Sequence, residues 1–447
     1  MNRRLGALVS ALAVTALGAG TAVVPAEAVS TTAATAVAQA GPLDDPFYDY
    51  SGATPLRDVP PGTVLKTRTV PYSVQGVDLP LEAVQILYRT RNTIGRPAVN
   101  VTSVVRPVVP LGDPKVISYQ SFYDSLNPAD QPSAAIAGGS GIGPSIANVE
   151  TALFAPMLLA GYTINIADTE GQRADFASST EYGYTTLDSL RAIAQAPATG
   201  VGRRAPVGLI GYSGGAIASE WAAELAHDYA PDVARRIVGT AIGGVFVHPG
   251  HNLHYVDGSL VWAGVLPMAL IGLSRSYHVD LARYANAKGK ALLQKMRSAS
   301  ITSALGTHPG LTWASIVKPR YSTPESVRPL VTIANKLIMG RFHTPTAPMF
   351  IGQGTGGVLE GTSPDEKLGN GDGVMVAGDV RALARRYCRR GVSVSYKQYP
   401  LSHVTAAAVW APQAYAWLLG RFGDTEAPSS CGDIKPGNSL APLKYVG

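Results

Sequence analysis

Apolar residues along this chain gather in short blocks, with longer stretches of helical period between them. Val116–Tyr119, Thr163–Ile166, Val207–Ile210, Ile237–Ile242, Met349–Gly352 and Val392–Tyr399 each have the length and composition of a buried strand. Strands alternating with helices in this way predict an α/β chain whose mostly parallel sheet is covered on both faces. Upstream, Ala83–Thr90 and Ala98–Val105 alternate with period two and flank a turn at Asn92–Arg96 containing Gly95, which predicts an antiparallel hairpin leading into the sheet. The stretch 246–346 breaks the pattern, being helix-like between the strands at Ile237–Ile242 and Met349–Gly352. The sheet domain therefore reads as 45–245 and 347–447, with 246–346 inserted as a helical cap or lid. Within the insertion, Gly258–Ser274 carries no charge. Its length and Pro267 argue against a membrane span, leaving an apolar lid underside facing a pocket or an ordinary pair of core helices. No internal repeat is evident.

The N-terminus bears on location. Arg3 and Arg4 precede the uncharged, Leu/Ala/Val-rich stretch Leu5–Ala26, and Ala26-Glu27-Ala28 has the small-x-small form of a cleavage site. Residues 1–28 thus read as a secretory signal peptide. A retained anchor competes, but Gly, Thr and Ser make this stretch a poor helix for lipid. A second cut after Ala38-Gln39-Ala40 would lie far from the apolar segment. Residues 29–44, Ala/Thr-rich at first and without periodicity, are expected to form a disordered lead-in. The mature chain is expected to be secreted, free or held at the cell envelope.

Composition narrows the class further. The remaining stretch, about 400 residues, is long enough to bury a large core. Two cysteines, Cys388 and Cys431, enter an oxidising compartment if the leader is read correctly; one disulfide tying the C-terminal tail to the preceding helix is the economical reading, and two free buried thiols the alternative. The net charge of +6 is scattered, and the short runs Arg385-Arg386 and Arg389-Arg390 read as a solvated helix face. Nothing combines basic and aromatic residues as a nucleic-acid site would. No Cys/His metal spacing occurs, and Gly138–Gly143 fits neither a dinucleotide loop nor a P-loop, so it reads as a turn before a helix. His248, His251 and His254 recur every three residues but lack a Cys or acid pair, so they read as a polar face of the cap or as pocket lining.

The candidate chemistry centres on Gly211-Tyr212-Ser213-Gly214-Gly215, which lies between the apolar run Val207–Ile210 and a helix-like stretch with Ile217, Trp221 and Leu225 on one stripe. A sharp strand-to-helix turn lifts a serine hydroxyl above the sheet, and its crowded backbone needs glycine on both sides. Ser213 is the candidate nucleophile. It needs a base, and the base needs a carboxylate to fix its tautomer; in this type of fold the chain order is Ser, acid, His. Of eight histidines, His403 alone follows the last candidate strand, where a loop leaves its C-terminal end. Asp372, in Gly371-Asp372-Gly373, occupies the expected acid position; Asp365 is its main rival, and Asp379 reads as a first-turn or N-cap carboxylate of the next helix. The oxyanion donors are expected at the backbone N–H of Gly214 and in Tyr119–Ser125, directly after an early strand.

On these residues the chain resembles the secretory lipases related to lipase A of Candida antarctica. The likeness runs through Asp45-Pro46-Phe47-Tyr48, Pro61–Leu65, Tyr88-Arg89-Thr90, Tyr119-Gln120 with Asp124, Gly161-Tyr162, Asp168–Gly171, Leu187–Arg191, Gly211–Gly215, Trp221, Tyr229-Ala230-Pro231, Tyr387-Cys388 and His403. The resemblance implies an α/β-hydrolase with a helical cap that hydrolyses acylglycerols or related carboxylic esters through an acyl-enzyme, with no cofactor. It implies the triad Ser213, Asp372 and His403, with Asp124 and Gly214 at the oxyanion hole. Family members place the acid soon after the strand that ends here at Gly352; this sequence inserts Gly354–Gly371. A monomer acting on lipid, meeting a lipid–water interface through its cap, is the expected form. A secreted serine peptidase, an acyltransferase and a non-enzymatic lipid-binding module remain open, although the uncharged Gly258–Ser274 favours acyl chains and the joint presence of nucleophile, acid and base disfavours the last.

Overall fold

The computed structural model describes residues 44–423 and 425–447. The leader (1–28) and the lead-in (29–44, apart from Asp44) lie outside the described residues. Nine strands form one sheet: β1 (Val64–Val74), β2 (Val77–Arg91), β3 (Pro97–Val105), β4 (Val116–Gln120), β5 (Thr163–Ala167), β6 (Val207–Tyr212), β7 (Ile237–Gly243), β8 (Met349–Gly354) and β9 (Val394–Tyr399), in the spatial order β1-β2-β3-β5-β4-β6-β7-β8-β9. From β5 through β9 every neighbouring pair is parallel, while β1, β2 and β3 are antiparallel and join the rest through an antiparallel β3–β5 pairing. All the expected strands are present. β1 is an addition: an edge strand interrupted by Lys66, Arg68 and Pro71, whose half-exposed residues hide the period. β9 starts two residues later than its apolar run, because the N–H of Val392 turns back to the carbonyl of Tyr387 at a helix end.

The helices used below are α1 (Thr151–Leu159), α2 (Thr180–Ile193), α3 (Gly214–Tyr229), α4 (Pro249–Tyr255), α5 (Val265–Tyr277), α6 (Ala287–Lys295), α7 (Arg328–Lys336), α8 (Ala377–Arg389) and α9 (His403–Phe422). One face of the sheet packs Leu187, Leu190, Trp221, Val380 and Tyr387 from α2, α3 and α8 against Leu209, Ile242 and Ile351. The other packs Phe154 and Met157 of α1 and Trp410, Trp417 and Leu418 of α9 against Ile117, Ile210 and Phe350. Burial on both faces explains why β6 is apolar or glycine throughout rather than alternating.

Between β7 and β8 there is no strand. The helices α4 to α7 and shorter turns fill this stretch, with an apolar cluster of their own built on Leu266, Leu270, Leu281, Trp313, Leu330 and Ile333. A disulfide joins Cys388 of α8 to Cys431. The tail then runs back over the helical insertion, where Asn335 and Leu443 exchange hydrogen bonds and the N–H of Val446 donates to the carbonyl of Glu325. No helix among the described residues is long and apolar enough to cross a membrane.

Candidate active site

β6 ends at Tyr212 and α3 begins at Gly214, so Ser213 occupies the turn, with φ at 53°. A side chain larger than hydrogen at Gly211 would run into the carbonyl of Gly215, and one at Gly215 into the carbonyl of Gln120. Both glycines are therefore steric requirements of the bend. The N–H of Ser213 donates to the carbonyl of Gly243 at 2.9 Å, which holds the strained residue against β7.

His403 is the first residue of α9, just past β9. Its Nε2 lies 2.8 Å from the Oγ of Ser213 and its Nδ1 lies 2.8 Å from Oδ2 of Asp372. Asp372 is fully buried, yet no lone pair faces apolar surroundings. Oδ1 accepts from the N–H groups of Val374 and Met375 at 3.1 and 2.8 Å, and Oδ2 also accepts from Nε2 of Gln353 at 2.9 Å. The N–H of His403 donates to the carbonyl of Asp372 at 2.7 Å, and the hydroxyl of Tyr212 donates to the carbonyl of His403 at 2.7 Å. Burial pushes the His403 imidazole down, but the charge and hydrogen bond of Asp372, then the charge of Glu360, outweigh it and hold the pKa above the ordinary histidine value. Asp365 does not approach this group: its Oδ1 accepts from the N–H groups of Lys367 and Leu368 in its own turn.

Asp124 lies in the loop after β4 with φ at 34°, and its carboxyl packs against Gly214, where any side chain would collide with it. The N–H groups of Asp124 and Gly214 have no acceptor among the described residues, and both residues border a cavity that also contains Ser213. That cavity encloses roughly 790 Å³ including its mouth and runs under the helical insertion between Ile217, Phe246, Val265, Leu266, Leu273 and Met375. Three of these, Val265, Leu266 and Leu273, belong to the single uncharged stretch Gly258–Ser274, which is thus the underside of the insertion. Burial, then the charge of Glu150, push the Asp124 carboxyl up to about 8, so it is neutral in mildly acidic and neutral solution.

Comparison with known proteins bears on the family and the fold. Residues 139–430 match the secretory lipase family. The chain belongs to that family. Its relatives include Lipase 4 of Candida albicans, 28% identical with 88% of this chain and 84% of that protein covered. Another, from Mycobacterium tuberculosis, is 31% identical with 85% and 82% covered, and is named "Probable inactive lipase". The crystal structure of Candida antarctica lipase A superimposes with a TM-score of 0.76 at 26% identity, covering 90% of each chain. The fold is that of an α/β-hydrolase, with the mostly parallel sheet and inserted helical cap expected.

In this member of the secretory lipase family several supporting residues escaped the motif reading. The loop after β4 rests on buried acids. Glu150 accepts from the hydroxyls of Tyr119 and Ser121 and from the N–H of Phe122, while Glu170 accepts from the N–H of Ser125 at 3.2 Å and the hydroxyl of Tyr182 at 3.0 Å. Glu170 carried family likeness in the sequence, but Glu150, Gln353, Trp262 and Glu360 had no local signal. The cap clamps the same loop, since the N–H of Ile301 donates to the carbonyl of Asp124 at 2.8 Å. The three cap histidines do not line the cavity, which corrects one of their two readings. His248 caps α4 and stacks on His251 at 3.7 Å, His251 meets Asp379, and His254 meets Glu325. Asp379 is a first-turn carboxylate of α8, as its spacing implied. No group of three or more His, Cys, Asp or Glu among the described residues is placed to hold a metal ion.

Proposed function

We propose that this protein is a secreted serine carboxylic ester hydrolase of lipase type, cleaving acylglycerols or related acyl esters. The observation that carries this reading is the continuous Asp372–His403–Ser213 hydrogen-bond chain ending at an apolar cavity. Ser213 Oγ attacks the acyl carbonyl as its proton passes to Nε2 of His403. Asp372 on Nδ1 fixes the imidazole tautomer and stabilises the imidazolium. The negative oxygen of the tetrahedral intermediate sits against the N–H groups of Asp124 and Gly214. The proton then leaves on the alcohol, and water, activated by the same histidine, releases the acid from the acyl-enzyme. The cavity beneath the cap takes the acyl chain. Among its lining residues Asp124 is the sole charged type, which supports an acyl group over a peptide side chain.

The family membership supports hydrolase chemistry of lipase type, and the M. tuberculosis relative named inactive makes a direct assay decisive. The test is hydrolysis of p-nitrophenyl esters, short to long acyl chain, by the protein lacking residues 1–28 beside Ser213→Ala. Turnover is expected to extend to long chains and to vanish in the variant. Equal activity in both proteins, or none in either, would remove Ser213 from this role.

A further inference from the structure

The stretch 355–371, inserted between β8 and Asp372, lies over the catalytic histidine. Its helical turn Gly357–Glu360 ends in a half-buried glutamate whose two oxygens have different partners. Oε2 accepts from Nε1 of Trp262 at 2.7 Å, and Oε1 accepts from the N–H of Val404, the residue after His403, at 3.0 Å. Trp262 is 4% exposed, borders the cavity, and stands at 80° to the imidazole of His403 with ring centroids 5.0 Å apart. The arrangement is reinforced from behind. The N–H of Leu260 donates to the carbonyl of Gly361, and Gly373 is tight enough that a side chain there would press on both Glu360 and the Trp262 indole.

We propose that Glu360 is a positioning residue for His403: its carboxylate pins the Trp262 indole against the imidazole, anchors the first backbone N–H after it, and places a second negative charge beside the imidazolium formed during turnover. This rests on the serine hydrolase reading above. No new bond is made in the step. The Ser213 proton still goes to Nε2 and Asp372 still holds Nδ1, while Glu360 acts through Trp262, the start of α9 and space. Facing the imidazole from the elements around it are Ser213 and Tyr212 at the end of β6, Asp124 from the loop after β4, Trp262 from the cap, and Asp372 and Glu360 from the stretch after β8. Of the carboxyls, Asp372 bonds Nδ1 directly, and Glu360 is the further carboxylate tied to the backbone next to the histidine and to the indole stacked on its edge.

The test compares wild type, Glu360→Gln, Trp262→Phe and Ser213→Ala on p-nitrophenyl butyrate, with active sites counted by a fluorophosphonate so that misfolded protein is excluded. In Glu360→Gln, kcat is expected to fall about tenfold at an unchanged KM, and the acid limb of kcat/KM to move to lower pH, because a charge that favours the imidazolium is gone. Trp262→Phe keeps the charge and loses the indole N–H, so kcat falls while the limb stays in place. A wild-type kcat and limb in Glu360→Gln would overturn the proposal, as would lost activity with an unmoved limb, or a wild-type kcat in Trp262→Phe should Glu360→Gln not fold. Hydrolysis or labelling by Ser213→Ala would instead overturn the serine hydrolase reading itself.

Discussion

At the scale of single residues, the choice between two aspartates shows how environment assigns a role. Asp365 satisfies its own turn, whereas Asp372 spends both oxygens on a fixed cradle that includes His403. Asp372→Asn is expected to lower kcat by about 10⁴-fold through loss of the correct imidazole tautomer, while Asp365→Asn stays within about twofold; steady-state kinetics on one ester separates them. Asp124 has a second consequence beyond its N–H. Its carboxyl is neutral below about 8 and charged above it, and a charge there opposes the oxyanion. The rate should therefore fall as pH rises through about 8. Asp124→Asn, which tolerates the positive φ, should flatten that alkaline fall, read from a pH profile of kcat/KM.

At the scale of elements, the strands were legible wherever both faces are covered, because double burial leaves a near-continuous apolar run. β1 was not, since an edge strand tolerates Lys66, Arg68 and Pro71 and borrows its order from β2. The disulfide between α8 and the tail closes a 43-residue separation in sequence. Cys431→Ser is expected to cost about 2–4 kcal/mol of stability, measured by urea unfolding, with kcat/KM unchanged because neither cysteine borders the cavity. A fall in kcat/KM at full folding would show that the tail, which crosses to the cap at Asn335 and Glu325, couples to the site.

At the scale of the whole molecule, burial of acids dominates. Burial is the largest cause in each case that pushes Glu150, Asp168 and Glu181 up to about 7 and Asp124 to about 8. The unfolded chain releases these protons near pH 4, so between there and about 7 to 8 the folded state binds more of them. The contribution of these four groups to stability is accordingly full at low pH and is lost as pH rises through the folded values. Calorimetry should give a lower Tm at pH 8 than at pH 5, and Glu181→Gln, which keeps an acceptor for Thr93, should make the decline shallower. A Tm that rises over this range would contradict the assignment of these acids as neutral.

What the sequence determined alone is whatever depends on neighbours along the chain. The strand and helix periods, the glycines of the bend at Ser213, the order of serine, acid and histidine, and the uncharged run of the cap all belong to this class. The tertiary structure decided what depends on approach across the fold. His403 and Ser213 meet from 190 positions apart, and Glu360 and Trp262 from 98. Whether Asp365 or Asp372 faces the histidine, which acids brace the loop after β4, and which side of the cap becomes a cavity wall are set by packing and hydrogen-bond satisfaction in the buried interior, and neither leaves a period in the chain.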